Sequence, residues 1–193
     1  MEPIRAYVVA GAPAAGKSAL GAALARYLRA ALLDQDVLAG PLTAVVARLV
    51  GVPPGDLDDP RVRTATRTAT YDALVETGAS CLAAGVATVL VAPFTAERAD
   101  PGAWARLVGR LGAPDGTVLV WATCPPDELR RRMAARGAAR DLRKLADFPR
   151  FLASAALAAP AVPHRAVDTT LAIAGQLASA TMEPSTSGRS PSC

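Results

Sequence analysis

Continuous apolar runs alternate with helix-period stripes along the chain. AYVVAG at residues 6–11 is a strand-sized apolar run ending at a glycine, and from Lys17 to Leu33 the residues Leu20, Ala23, Leu24, Tyr27, Leu28 and Ala31 recur on one helix face. LLDQD, residues 32–36, predicts a brief second strand running out into acids, and Leu42 to Leu49 a helix. GVPPGDLDDP is then a loop with a proline stop. A long helical pattern from Val62 to Gly85 passes through Ala69, Leu74, Val75 and Leu82, with a break expected near Gly78. A strand at 87–94 (ATVLVAPF), a helix at 101–111 and a strand at 117–124 (TVLVWATC) follow.

PPDELRRRMAARG opens with proline and acids and carries its basic residues late, as a helix does. DLRKLADFPRFLAS predicts another helix, HRAVDTT a fifth short strand and LAIAGQLASAT the last helix. Strands that are apolar throughout, separated by helices, predict a parallel sheet of about five strands covered on both faces. The expected architecture is one three-layer α/β domain over residues 1–180, with an Arg-rich lid at about 130–150 and a disordered tail at 181–193.

With 51% hydrophobic residues but only 4% aromatics, the core is expected to be aliphatic, and 193 residues leave no room for a second catalytic domain. Basic residues crowd between Arg130 and Arg150, while Asp56 to Asp59 is locally acidic. The basic stretch is short and poor in stacking rings, which argues against nucleic acid as partner. Cys81, Cys124 and Cys193 are odd in number and far apart, and His164 is the single histidine, so neither a disulfide framework nor a zinc site is expected. No secretory leader and no membrane-length apolar run is seen, which predicts a cytoplasmic protein without a membrane partner.

GAPAAGKS at 11–18 changes the picture from fold to chemistry. It satisfies G-x-x-x-x-G-K-[ST] between a buried strand and an apolar-striped helix, the context the motif requires. Gly11 and Gly16 let the backbone of Ala14, Ala15, Gly16, Lys17, Ser18 and Ala19 turn its N–H groups inward around phosphates, at a helix N-terminus that favours anions. Lys17 reaches the outer phosphates of a triphosphate, and Ser18 puts its hydroxyl on Mg2+.

Asp34 and Asp36 alternate along the end of the predicted second strand, which a doubly wound order places beside the phosphate loop, so both carboxylates are expected to face the cleft. One acid to orient an acceptor hydroxyl and another near Mg2+ is what phosphoryl transfer needs. Arg132, Arg136 and Arg140 recur every four residues, forming one side of a helix that a turn at Gly137 interrupts. Guanidinium forks suit the dispersed charge on a transferring phosphoryl group.

The loop, the Asp34–Asp36 pair, RRRMAARGAARD and the late VDTT together resemble the small P-loop kinases of the gluconate and shikimate kinase type, with their zeta-toxin and chloramphenicol phosphotransferase relatives, over roughly residues 5 to 178. The resemblance implies ATP-dependent phosphorylation of a small-molecule hydroxyl. It places Asp34 on Mg2+ through water, Asp36 on the acceptor hydroxyl, Arg132 near adenine, Arg136 and Arg140 in the lid near the phosphates, and Asp168, Thr169 and Thr170 beside adenine. One departure stands out: many relatives carry an acid at the end of the third strand, where this chain has Val91 and Ala92, so that magnesium support is either missing or supplied by Asp34 or Glu97.

Acceptor binding is expected from Arg61, Arg63, Arg67 and Tyr71, with Pro93 and Phe94 as an apolar wall. The leading expectation is therefore an ATP- and Mg2+-dependent O-phosphotransferase, monomeric or homodimeric, acting on a hydroxylated small molecule such as a specialised metabolite or antibiotic. The alternatives are a nucleoside or nucleotide monophosphate kinase and a non-catalytic ATP-binding regulatory protein.

Overall fold

The computed structural model describes residues 5–53, 59–154 and 157–182. Five strands, β1 (Ala6–Gly11), β2 (Ala31–Asp34), β3 (Thr88–Val91), β4 (Thr117–Thr123) and β5 (Arg165–Asp168), form one parallel sheet in the order β2-β3-β1-β4-β5. The helices are α1 (Lys17–Leu28), α2 (Gln35–Leu49), α3 (Pro60–Ala83), α4 (Thr95–Ala99), α5 (Pro101–Leu111), α6 (Pro126–Arg136), α7 (Ala139–Ala146), α8 (Phe148–Leu152) and α9 (Ile173–Thr181).

Burial on both faces explains why the inner strands β1, β3 and β4 are nearly continuous apolar runs, unlike the edge strands β2 and β5. Val8, Leu90 and Leu119 point to one face, where Leu74 and Leu82 of α3 and Leu107 and Leu111 of α5 cover them. Val9, Val91 and Val120 point to the other, under Leu20 and Leu24 of α1 and Ala180 of α9. With both faces buried, no strand position between them tolerates a polar residue without cost. A third cluster of Ala12, Ala15, Leu129, Met133, Phe148 and Phe151 seats α6 and α8 against the back of the phosphate loop.

Several sequence expectations are corrected. β3, not β2, lies next to β1: TVLV is buried at all four positions, as an interior strand must be, whereas Leu32 of β2 is exposed, as at an edge. α1 stops at Leu28 because Arg29 adopts a left-handed conformation (φ 53°) and its N–H returns to Arg26. That releases Ala31–Asp34 to pair with β3. α2 begins at Gln35, earlier than Leu42, because the Asp34 carboxylate caps it through Asp36 N at 2.9 Å. Of the loop expected at GVPPGDLDDP, residues 54–58 lie outside the described residues.

β3 ends at Val91, and the following residues form the short α4, which the apolar pattern gave no sign of. DLRKLADFPRFLAS splits into α7 and α8 at Asp147, whose side chain caps α8. α3 passes unbroken through Gly78, where a Cβ would stand 3.0 Å from Leu90 Cδ2 and 3.2 Å from Leu111 Cδ2, so the glycine admits the sheet and α5 rather than ending the helix. α9 runs to Thr181, and the tail expected beyond it lies, from residue 183 on, outside the described residues.

Gly21 of α1 provides a test of this packing. A Cβ there would sit 2.4 Å from Val91 Cγ2, a branched side chain locked in the sheet. Gly21→Ala is expected to lose about 1–3 kcal/mol to overpacking, more than the ~1 kcal/mol that alanine gains over glycine in a helix. The urea midpoint should fall; a rise would mean that α1 and β3 are less tightly apposed.

Candidate active site

The phosphate loop joins β1 to α1 along a path that few residue types can follow. Gly11 has φ 151°, and a Cβ on it would meet the Ala122 carbonyl oxygen at 2.4 Å, so only glycine lets β1 lie this close to β4. Gly16 (φ 87°) precedes α1, whose N-terminus has no side-chain cap and so keeps its amides for an anion. Ser18 and Ala19 are exposed at that N-terminus.

Lys17 bends back across the loop, its Nζ donating to Ala12 O at 2.8 Å. Burial pushes its pKa down from 10.5 to about 8, against the attraction of Asp36 and Asp34 and with further lowering by Arg136 and Arg140. These five side chains therefore share one electrostatic field around the loop.

The structure brings the two acids to this place by a different route from the expected one. Asp34 is the buried last residue of β2 and caps α2, while Asp36 lies in the first turn of that helix, not on an extended strand. Asp36 Oδ2 accepts from Arg140 Nη1 of α7 at 3.0 Å. α7 thus reaches across to α2, joining residues 104 apart in the chain.

The three spaced arginines take three different partners. Arg132 is fully engaged: Nε donates to Glu128 Oε1 at 2.6 Å, Nη1 to Thr169 Oγ1 at 2.8 Å and Nη2 to Thr169 O at 3.0 Å. Hydrogen bonds from Arg131 and Arg132 hold the Glu128 carboxyl down at about 2. Arg136 closes α6 and donates to Asp141, and Arg140 starts the next helix beyond Gly137, which ends α6 in the left-handed conformation at φ 60°.

Thr169 is buried against the loop, where it braces backbone. Its hydroxyl contacts Ala15 O at 2.8 Å and Thr123 O at 3.1 Å. A Cβ on Gly16 would stand 3.0 Å from Thr169 Cβ and 3.2 Å from Arg132 Nη1, so the second motif glycine makes room for this brace. Asp168 accepts from Thr170 N at 2.8 Å and Thr170 Oγ1 at 2.7 Å, a turn that lowers its pKa and leaves Thr170 exposed.

Of the expected acceptor residues, the structure assembles some and diverts others. Arg67 lies over the Tyr71 ring at 5.4 Å, and Arg63 is exposed about one turn earlier on α3. Tyr71 OH accepts from Phe94 N at 3.1 Å, and burial pushes its pKa up to about 12. Phe94 is corrected to a core residue: it is fully buried against Tyr71 at a ring distance of 5.7 Å, with left-handed backbone at φ 43°, while Pro93 beside it stays half-buried. Arg61 turns to Asp59 and to Val50 O at the start of α3, an arrangement that serves the helix end. Glu97, on α4, stands next to Tyr71 and helps raise its pKa.

Glu128 and Asp141 were missed as site residues. Glu128 was legible as the i,i+4 partner of Arg132. Asp141 meets Arg136 only through the turn at Gly137, which no helical spacing encodes.

Strand, loop, helix, Lys17 and Ser18 together define a P-loop nucleotide-binding protein of the α/β class. The chain belongs to the AAA domain family, whose model matches residues 7–160. Among solved structures it is similar to a sugar kinase from Janibacter sp. HTCC2649 in unliganded form, with TM-score 0.60 and 19% identity over 91% of each chain. It is also similar to a gluconokinase from Sinorhizobium meliloti 1021, with TM-score 0.56 and 22% identity over 93% of this chain and 91% of that one. A shikimate kinase from Acinetobacter baumannii in complex with shikimate matches with TM-score 0.54 and 17% identity over 92% of this chain and 90% of that one. At these identities the likeness is one of fold. No curated protein matches the chain. Among the described residues, no helix is long and apolar enough to cross a membrane.

Proposed function

We propose that the protein is an ATP-dependent O-phosphotransferase that moves the γ-phosphoryl group onto a hydroxyl of a small molecule. The observation that carries this reading is the convergence of Lys17 at the loop, Asp36 on α2 and Arg140 on α7, with Arg140 bonded to Asp36 and both acting on the charge of Lys17. In the transfer step the acceptor oxygen bonds to the γ-phosphorus as the bond to the β–γ bridging oxygen breaks and ADP leaves. The acceptor hydroxyl proton passes to the Asp36 carboxylate. Lys17, Arg136 and Arg140 neutralise charge on the transferring group, and the lid keeps water out. Arg140 must release Asp36 for this, an easy step for an exposed pair.

Ser18 and Asp34 fit Mg2+. A hydroxyl and a carboxylate are the hard oxygen donors it takes, with nucleotide phosphates and water completing its shell. Bound there, the ion would neutralise charge on the outer phosphates.

On the acceptor side, Arg63 and Arg67 make no ion pair among the described residues and stand by Tyr71. They favour an acceptor that carries an anionic group as well as a hydroxyl. Polyhydroxylated acids fit this description, in keeping with the names of the gluconokinase and shikimate kinase neighbours.

ATP consumption across sugars, sugar acids, aminocyclitols, nucleosides and hydroxylated antibiotics, followed by mass analysis of each product, tests the proposal. One acceptor gaining a single phosphoryl group is the expected result. Tight ATP binding with no transfer to any acceptor would favour a regulatory nucleotide switch instead.

A further inference from the structure

The lid contains a carboxylate that the transfer chemistry above does not use. Asp141, in the first turn of α7, has no solvent exposure. Its Oδ2 accepts from Nε and Nη2 of Arg136 at 2.8 and 2.6 Å, while Lys144 Nζ stands 3.9 Å from Oδ1. Oδ1 itself accepts no hydrogen bond among the described residues. Such a pair is a poor device for stability, because desolvation offsets most of its attraction, although removing one partner alone leaves the other charge unpaired.

Its geometry on Arg136 is informative in another way. Both bonds leave from the Nε–Nη2 edge of the guanidinium, so the Nη1 end of the planar fork faces away from Asp141. Arg136 is one turn beyond Arg132, whose Nη1 lies 3.2 Å from where a Cβ on Gly16 would stand, and Met133 of the same helix packs with Ala12 and Ala15, so α6 carries the fork alongside the phosphate loop; the Arg136 charge also helps lower the Lys17 pKa. The other lid arginine differs: the partner of Arg140 is Asp36, whose side chain is 67% exposed, against 1% for Asp141. The acid that holds Arg140 is open to solvent, whereas the acid that holds Arg136 is buried, although Arg136 itself is 36% exposed.

We propose that Asp141 is a positioning residue that grips the Nε–Nη2 edge of Arg136 and so aims its Nη1 end at the transferring phosphoryl group. This rests on the phosphotransferase reading. A free arginine side chain samples many rotamers, and a fork already set in place contributes its charge to the transition state without first being ordered.

The test compares Asp141→Leu and Asp141→Asn, each alone and combined with Arg136→Ala. Three quantities are measured: the melting temperature, the ratio of affinities for ADP and a non-hydrolysable ATP analogue, and turnover with an accepted substrate. Asp141→Leu leaves Arg136 unpaired, but that side chain is 36% exposed, so the variant is expected to stay folded with a lowered melting temperature. It should also lose about 10-fold in its preference for the ATP analogue and about 10- to 100-fold in turnover. Asp141→Asn, which keeps an oxygen for the fork without its charge, should lose less. In the Arg136→Ala background neither change at Asp141 should add anything, because Asp141 acts only through Arg136.

Unchanged nucleotide preference in Asp141→Leu, or a loss of equal size with and without Arg136, would overturn the proposal. If Asp141→Leu does not fold, Asp141→Asn carries the same comparison. The nucleotide preference needs no acceptor, so it decides on Asp141 even if every acceptor assay fails, whereas such a failure counts against the transferase reading alone.

Discussion

Lys17→Ala is expected to bind ATP about 10- to 100-fold more weakly and to transfer phosphoryl groups about 1,000-fold more slowly, the scale of losing a preorganised cationic donor at a site of developing charge. The fold should survive, because Lys17 Nζ makes one bond to Ala12 O and burial disfavours its charge. With no nucleotide bound, burial pushes the Lys17 pKa down to about 8. A bound triphosphate favours the charged amine and raises it again, so binding near and above that pH must take up a proton. ATP affinity is then full below about pH 8 and falls as pH rises through the window between the free and bound values.

Stability of the ligand-free protein moves the opposite way. Between about 8 and 10.5 the unfolded chain holds more protons on this lysine than the folded one, so this group makes stability rise with pH across that window. Calorimetry in buffers of different ionisation enthalpy measures the proton uptake directly. Binding without uptake at about pH 8.5, or parental ATP affinity in Lys17→Ala, would contradict a phosphate-holding Lys17.

The same lysine shows how much of the site was legible beforehand. The phosphate loop is a local device: Gly11, Gly16, Lys17 and Ser18 sit on one strand-turn-helix unit, so their spacing in the chain fixes how they stand to one another. Strand and helix periods likewise carried the layers of the sheet, because burial on both faces leaves an unbroken apolar run such as TVLV. What failed was whatever depends on segments meeting at a distance. The place of β2 beyond β3 follows from which strand has two faces to bury, a tertiary fact that LLDQD alone does not express.

Strand alternation predicts Asp36 beside the loop; the residue sits at a helix start instead, yet it still meets Arg140 and acts on Lys17, because a cap at Asp34 turns the chain there within two residues. Phe94 looked like a pocket wall by position and is core by packing. Arg132 is tied to Thr169 and thereby to the back of the phosphate loop, a contact between distant segments that helical spacing does not encode.

Asp36→Asn separates acceptor chemistry from nucleotide binding. The substitution is isosteric, and the cap of α2 uses the backbone N–H of residue 36 and the carboxylate of Asp34, so the helix start is untouched. It does remove the charge that Arg140 holds, but an ion pair whose acid is 67% exposed contributes only about 0–1 kcal/mol, and melting should barely move. Transfer to the acceptor is expected to fall about 100- to 10,000-fold, since an amide neither takes the hydroxyl proton nor orients it as an anion does.

A second consequence ties the two predictions together. Asp36 is the largest influence raising the Lys17 pKa, so in Asp36→Asn that pKa should drop further below about 8. ATP affinity at about pH 6.5 should stay near the parental value, while its alkaline decline should begin at lower pH. Parental transfer rates in Asp36→Asn would remove the carboxylate from the reaction. Intact transfer together with a shifted pH profile would leave Asp36 as an electrostatic partner of Lys17 and move the search for the proton acceptor to Asp34, the other acid within reach of that lysine.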